Sequence, residues 1–61
     1  MHERICDTVD IVYSPDEHGY YLQEFKLDGS NKSRVTKQLY KDKSKLILLY
    51  NMGKIKWTKW D

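Results

Sequence analysis

The residues most suited to proton transfer are His18 and its neighbours Asp16 and Glu17. A carboxylate beside an imidazole can act as a general acid or base when the fold holds both groups within hydrogen-bond distance of a substrate. These three residues lie in segment 14–19, where a proline and a glycine favour a turn, and turn side chains of this kind are usually solvated. We therefore predict no catalytic role for them.

The residues that could bind a metal are too few for a closed site. His2 and Cys6 have a suitable spacing and His18 is a second histidine, but a structural zinc ion needs four nitrogen or sulfur ligands. We expect no metal and no cofactor, and we expect Cys6 to fill a small apolar space under the first strand. Because no glycine-rich phosphate-binding motif is present either, we predict that the chain is not an enzyme.

Charge is distributed unevenly between the two halves of the chain. Residues 1–30 contain seven acids and two bases, whereas residues 31–61 contain nine bases and two acids. Such asymmetry can mark a surface that binds nucleic acid or an acidic protein. The alternative is that the two halves neutralise each other across neighbouring strands of one fold. The sequence leaves both interpretations open.

The length of the chain limits the size of its hydrophobic core. With 61 residues it is expected to form one domain, residues 1–61, that buries about 60% of the surface of the unfolded chain. Cys6 is the single cysteine, so no intrachain disulfide can add to the stability of this small core. We therefore expect a homodimer or a tight complex with a partner.

The longest apolar run, residues 46–50, is too short to span a membrane, and residues 1–4 do not resemble a signal peptide. We therefore expect a cytoplasmic protein that makes no membrane contact.

Alternating apolar residues predict an antiparallel hairpin in the first half of the chain. A strand at residues 9–13, a turn, and a strand at residues 20–27 follow from the period-two pattern and from the turn-forming residues between them. In that turn, Gly19 is expected to supply a positive φ. A second turn at residues 28–31 precedes a third strand over residues 34–40.

Residues 43–52 fit a helix better than a strand. Asp42 can serve as the N-cap, Gly53 can end the helix in a left-handed conformation, and Leu46 lies on an apolar stripe. The alternative is a strand, which would give an all-β, five-stranded, SH3-like small barrel. We favour the helix and predict an α+β fold: a small antiparallel sheet of three strands, one helix, and then a fourth strand over residues 54–60.

Residues 20–50 resemble the three-stranded-sheet-plus-helix unit of plant AP2-type domains and of the arm-binding domains of phage integrases. The matching features are the aromatic strand Tyr20-Tyr21-Leu22-Gln23-Glu24-Phe25, a glycine-containing turn, a third strand that ends at Tyr40, and a helix that contains Tyr50. The resemblance implies this topology but not DNA reading, because those families read DNA from a sheet face that is dense in arginine and tryptophan. The corresponding strand positions hold Gln23, Glu24, Lys26 and Gln38.

The C-terminal run Lys-Ile-Lys-Trp-Thr-Lys-Trp at residues 54–60 is the strongest candidate for a contact surface. Lysines between tryptophans can follow a phosphate backbone while the rings stack on bases. Period-two alternation places Trp57 in the core and Trp60 on the opposite face, where a tryptophan is typical of a protein interface. The residues expected to bind the partner are Trp60, Lys56, Lys59, Ile47, Leu48 and Tyr20.

These features predict a non-catalytic binding module that acts on a protein partner as an inhibitor or adaptor, and its size and composition are similar to those of phage and mobile-element accessory proteins. The alternative is a nucleic-acid-binding protein that uses its basic, tryptophan-containing C-terminal half. The two classes differ in their salt dependence, because the neutralisation of phosphates makes affinity fall steeply with salt.

Overall fold

The computed structural model describes residues 2–60 and contains a four-stranded antiparallel sheet followed by one helix. The strands are β1 (His2–Cys6), β2 (Val9–Ser14), β3 (Gly19–Phe25) and β4 (Ser33–Val35), and the helix is α1 (Lys43–Asn51). The strands lie in the order β1-β2-β3-β4, so each strand pairs with its neighbour in the chain. The predicted α+β class is confirmed. The alternative five-stranded barrel is wrong, because residues 43–51 are helical and the sheet is open.

The fourth strand of the sheet lies before the hairpin rather than after the helix. β1 pairs with β2, with Glu3 opposite Ile11, and an irregularity between Arg4 and Cys6 shifts the register. The sequence pattern did not indicate this strand, because its five residues are mostly polar or charged and show no regular apolar alternation. Charged side chains of this kind are typical of an edge strand, where they discourage pairing with other chains.

The segment expected to form a strand over residues 54–60 makes a single bridge to the sheet, between Thr36 and Trp57. The Thr58 hydroxyl accepts a hydrogen bond from the Val35 backbone N–H at 3.1 Å and donates one to the Val35 carbonyl at 3.0 Å. A side chain thus takes the place of a backbone group that a regular ladder would need. The prediction of a C-terminal strand is therefore wrong.

β4 is shorter than the third strand predicted over residues 34–40. The chain leaves β3 after Thr36 and returns at Tyr40, whose backbone exchanges hydrogen bonds of 2.7 and 2.8 Å with that of Tyr20. The Thr36 hydroxyl donates to the Gln38 carbonyl at 3.0 Å, and this local bond favours a loop over a continuing strand. The residues between Thr36 and Tyr40 therefore lie outside the sheet.

The predicted hairpin is confirmed, since β2 pairs with β3 along its whole length. The expectation that Gly19 supplies a positive φ is wrong, because His18 adopts this conformation, with φ of 53°. Gly19 has another role: a Cβ added to it would lie 3.0 Å from the Cβ of Leu39. The missing side chain lets the loop after β4 pack closely against the hairpin.

The core is a thin layer between the sheet and α1. Val9, Ile11 and Leu22 on the sheet and Leu46 on the helix are each exposed by 2% or less. Ile11 and Leu22 are direct partners in the ladder between β2 and β3. They therefore offer one continuous apolar surface, and Leu46 packs against it.

Both ends of α1 are capped as predicted. At the N-terminus, the Asp42 carboxylate accepts hydrogen bonds from two backbone N–H groups of the first turn, at 2.9 and 3.4 Å. At the C-terminus, Gly53 has φ of 70°, and its N–H and the next N–H donate to the carbonyls of Tyr50 and Leu49 at 3.0 and 2.9 Å. These two bonds form a Schellman motif. Within residues 2–60, no helix is long and apolar enough to cross a membrane.

Two leucines on α1 provide a matched test of the core. Leu46 is fully buried, whereas Leu48, two residues later on the same helix, is 57% exposed. We expect Leu46→Ala to lower the free energy of unfolding by about 2–5 kcal/mol, because it leaves a cavity, and Leu48→Ala to change it by less than about 0.5 kcal/mol. Urea denaturation followed by circular dichroism measures both values. Equal losses in the two variants would show that α1 does not dock through Leu46.

Candidate functional site

The residues considered for proton transfer, Asp16, Glu17 and His18, are all exposed in the turn between β2 and β3. The side chain of His2, considered for metal binding, lies outside the part of the chain that the structure describes. Among the described residues, no group of three or more His, Cys, Asp or Glu side chains could hold a metal ion.

Cys6 is exposed on β1, so the expectation that it fills a space under the first strand is wrong. Its Sγ lies 3.7 Å from the hydroxyl oxygen of Thr8 and 3.7 Å from that of Tyr50 on α1. Hydrogen bonds from the Thr8 backbone N–H, and then from the Tyr50 and Thr8 hydroxyls, lower the pKa of the Cys6 thiol, because they stabilise the thiolate. The same contact with Cys6, together with partial burial, raises the pKa of Tyr50.

Both tryptophans of the C-terminal segment contact the guanidinium of Arg34. The Arg34 Cζ lies 4.7 Å from the centroid of the Trp57 ring and 4.4 Å from that of the Trp60 ring. The Arg34 Nε also donates a hydrogen bond to Glu24 Oε1 at 2.6 Å, and Lys26 Nζ lies 4.8 Å from the Trp60 centroid. The prediction that Trp60 faces away from Trp57 is therefore wrong, because the alternation of a regular strand does not apply to this segment.

Four lysines from distant parts of the sequence line a groove of about 440 Å³. Lys37 belongs to the loop after β4, Lys45 to the first turn of α1, and Lys54 and Lys56 to the C-terminal segment. The Lys37 backbone N–H donates to the Lys56 carbonyl at 2.9 Å, which holds two of these residues side by side. We call this surface the basic groove. Its lining residues are Lys37, Gln38, Tyr40, Lys45, Leu49, Lys54 and Lys56.

Within the described chain, the basic groove has no acidic lining residue to balance its charge. Its four lysines are exposed, and none of them takes part in an ion pair with another described residue. The ion pairs found within residues 2–60 are Arg4–Asp10, Arg34–Glu24 and Lys43–Glu3. Neutralisation between the two halves of the chain thus involves Arg34 and Lys43. It leaves the lysines of the basic groove to solvent or to a ligand.

Three of the residues expected to bind a partner lie on the C-terminal segment, but they line two different surfaces. Lys56 lines the basic groove, whereas Lys59 and Trp60 line a second cavity, of about 330 Å³. Trp60 is half-buried there. The C-terminal run therefore does not act as one continuous contact strip.

The other three expected residues lie elsewhere. Leu48 is exposed on α1. Tyr20 and Ile47 are half-buried and pack against the core, so most of each side chain is engaged within the fold. The structure does not bring the six predicted residues together into one surface.

Sequence reasoning missed Lys37 and Lys45, and it placed Lys54 in the candidate C-terminal run without naming it among the residues expected to bind the partner. The excess of bases in residues 31–61 was the available signal. That excess does not show which lysines meet, because their meeting depends on how the loop, the helix and the C-terminal segment pack together.

Comparison of the chain with protein-family models, with curated proteins and with solved structures finds no match. The resemblance to AP2-type and integrase arm-binding units therefore stays a prediction.

Replacing Arg34 by lysine tests whether the flat guanidinium holds the C-terminal segment on the sheet. Arg34→Lys keeps the positive charge but loses the planar group that contacts both rings. We expect the Thr58 amide, which donates to β4 at 2.8 Å, to exchange with solvent about fivefold faster, because cation–π contacts contribute about 0.5–2 kcal/mol. Hydrogen exchange followed by NMR measures the rate. The control is Arg4→Lys, in which we expect no change at Thr58; the same acceleration in both variants would count against the contact.

Tyr50→Phe tests the contact between α1 and β1. Removing the hydroxyl removes a hydrogen-bond donor to the thiolate, so the pKa of the Cys6 thiol should rise toward its ordinary value. A pH titration followed by the ultraviolet absorbance of the thiolate measures the shift. Tyr13→Phe is the control, because the Tyr13 ring packs against Tyr20, 5.0 Å between centroids. If both variants titrate like the native protein, the contact between Tyr50 and Cys6 does not form in solution.

Proposed function

We propose that this chain is a non-catalytic binding module whose basic groove takes up an anionic macromolecule. The observation that supports this most is the convergence of four exposed lysines, from three separate segments, on a groove with no acidic residue in its described lining. A lysine ammonium is a compact point charge that binds phosphate or carboxylate groups. Several of them on a concave surface attract an anionic partner and accelerate its association.

The fold keeps these like charges together through contacts that do not involve the lysine side chains. Lys45 is carried by α1, which Leu46 anchors in the core. Lys54 lies directly after Gly53 and donates one backbone bond of the Schellman motif, and the Lys56 carbonyl accepts from the loop after β4. Mutual repulsion of the ammonium groups lowers the stability of the folded chain, and a bound polyanion relieves it. Binding should therefore also stabilise the fold.

Trp60 contributes less to this proposal than the sequence indicated. The guanidinium of Arg34 and the ammonium of Lys26 both lie over its ring. A half-buried ring that is engaged in this way is not a free anchor for a pocket on a partner protein. Of the residues predicted on the C-terminal segment, Lys56 is the one that we carry over to the proposed site.

A second candidate function is the docking of a partner protein, in line with the inhibitor or adaptor hypothesis. Leu48 on α1 and Met52 at its C-cap are 57% and 51% exposed. Side chains four residues apart lie on the same face of a helix, so these two form a small apolar area. Stable interfaces bury about 800 Å² on each partner, far more than two side chains supply. We therefore place this candidate after the basic groove.

Charge reversal inside and outside the groove tests the proposed function. Lys54→Glu and Lys32→Glu change the net charge equally, but Lys32 precedes β4 and does not line the groove. We expect the native chain to bind a heparin column at low salt and Lys54→Glu to elute at clearly lower salt. Lys32→Glu should elute close to the native chain, because it leaves the local charge of the groove intact. Equal shifts in both variants, or no retention of the native chain, would contradict the proposal.

A further inference from the structure

We infer that the partner of the basic groove is the phosphate backbone of a nucleic-acid duplex, bound without recognition of the base sequence. This inference rests on the proposed function and names the class of polyanion. An acidic protein surface and a single-stranded nucleic acid are the other polyanions that a basic groove could take up. The residues that line the groove distinguish between these three.

The composition of the groove differs from that of a protein interface. The core of a protein interface is rich in aromatic residues, methionine and arginine, and poor in lysine. In the basic groove four of the seven lining residues are lysines, and Leu49 is the aliphatic one. A partner held here gains charge neutralisation rather than burial of apolar surface. This favours a phosphate backbone over an acidic protein.

The described lining of the basic groove offers one aromatic ring, that of Tyr40, to single-stranded bases. Proteins that bind single strands combine a basic groove with exposed aromatic side chains on which bases stack. All eight aromatic residues of this chain are at least half-buried. Tyr40 is the aromatic residue that lines the groove, and its hydroxyl accepts a hydrogen bond from Gln38 Nε2 at 3.1 Å. A duplex keeps its bases stacked inside and needs no such platform.

The groove holds few side chains suited to reading the edges of bases. The planar guanidinium of arginine and the amides of asparagine and glutamine match the paired acceptors and donors of purines in the major groove of DNA, whereas a lysine ammonium is a point charge. Gln38 is the one described lining residue with such a planar group, and one N–H of its amide is bonded to Tyr40. Contacts from lysine to phosphate position a protein on a duplex but carry no sequence information. Binding should therefore be weak and independent of sequence.

Fluorescence anisotropy with labelled oligonucleotides tests this inference. The probes are a DNA duplex, an RNA duplex of the same sequence and the corresponding single strands, with poly-L-glutamate as an unlabelled competitor. We expect the duplex probes to bind several-fold more tightly than the single strands and to resist competition by poly-L-glutamate. The affinity for the DNA duplex should fall with salt with a log–log slope of about −3 to −4, as expected for about four neutralised phosphates. Tighter binding to either duplex than to the single strands supports the inference, and the tighter of the two duplexes indicates whether the natural partner is DNA or RNA.

Two pairs of substitutions connect the binding to the groove. We expect each of two double variants to weaken duplex binding and to lower the magnitude of the log–log salt slope by about two. The first combines Lys37→Ala with Lys56→Ala, and the second combines Lys45→Ala with Lys54→Ala. Lys32→Ala lies outside the groove and should leave the slope unchanged. Circular dichroism checks that each variant is folded. Each pair changes one lysine of the C-terminal segment, but the first pair also changes the loop after β4 and the second also changes α1. Misfolding of one variant therefore leaves the other as a test.

The outcomes separate this inference from the proposed function. Tighter binding to a single strand, or full displacement by poly-L-glutamate, overturns the duplex as the partner but leaves the groove as a site for polyanions. Native-like duplex binding by both pairs of groove variants overturns the site itself. If the native chain binds none of the polyanions at low salt, both the inference and the proposed function are wrong.

Discussion

The burial of Leu46 is the contact on which the rest of the structure depends. A nine-residue helix such as α1 is not stable in isolation, because so few hydrogen bonds do not offset the cost of nucleation. α1 persists because Leu46 packs on the apolar face of β2 and β3, while the two caps satisfy backbone groups at the helix ends. This single contact determines where Lys45 and Leu49 lie. It therefore positions one wall of the basic groove.

The other walls of the groove depend on hydrogen bonds at the β4 edge of the sheet. The loop after β4 rejoins β3 at Tyr40, and the C-terminal segment is held by Thr58 and by the contacts of its tryptophans with Arg34. These contacts, rather than the lysine side chains, determine where Lys54 and Lys56 lie. A fold with so thin a core thus maintains a cluster of like charges. Repulsion within that cluster opposes folding, and it is one reason why we propose a polyanion as the ligand.

The errors of sequence reasoning have identifiable physical causes. β1 is an edge strand whose pairing with β2 needs no apolar alternation, so its mostly polar sequence gave no signal. The segment at residues 54–60 alternates like a strand, but the Val35 N–H donates to the Thr58 hydroxyl rather than to a backbone carbonyl, and the ladder stops there. The local pattern predicts a positive φ at Gly19, whereas the structure uses its small size for close contact with Leu39. In each case a contact between distant residues overrode the local pattern.

The sequence by itself determined the features that depend on neighbours in the chain: the hairpin of β2 and β3, the helix with its caps at Asp42 and Gly53, and the excess of bases in the second half. These follow from backbone groups that must be satisfied within a few residues. Only the tertiary structure decided which lysines meet in the basic groove, that Trp57 and Trp60 share one guanidinium, and that Tyr50 reaches a cysteine on β1. Such contacts join residues that are far apart in the sequence, and they form only when α1 and the C-terminal segment pack on the sheet.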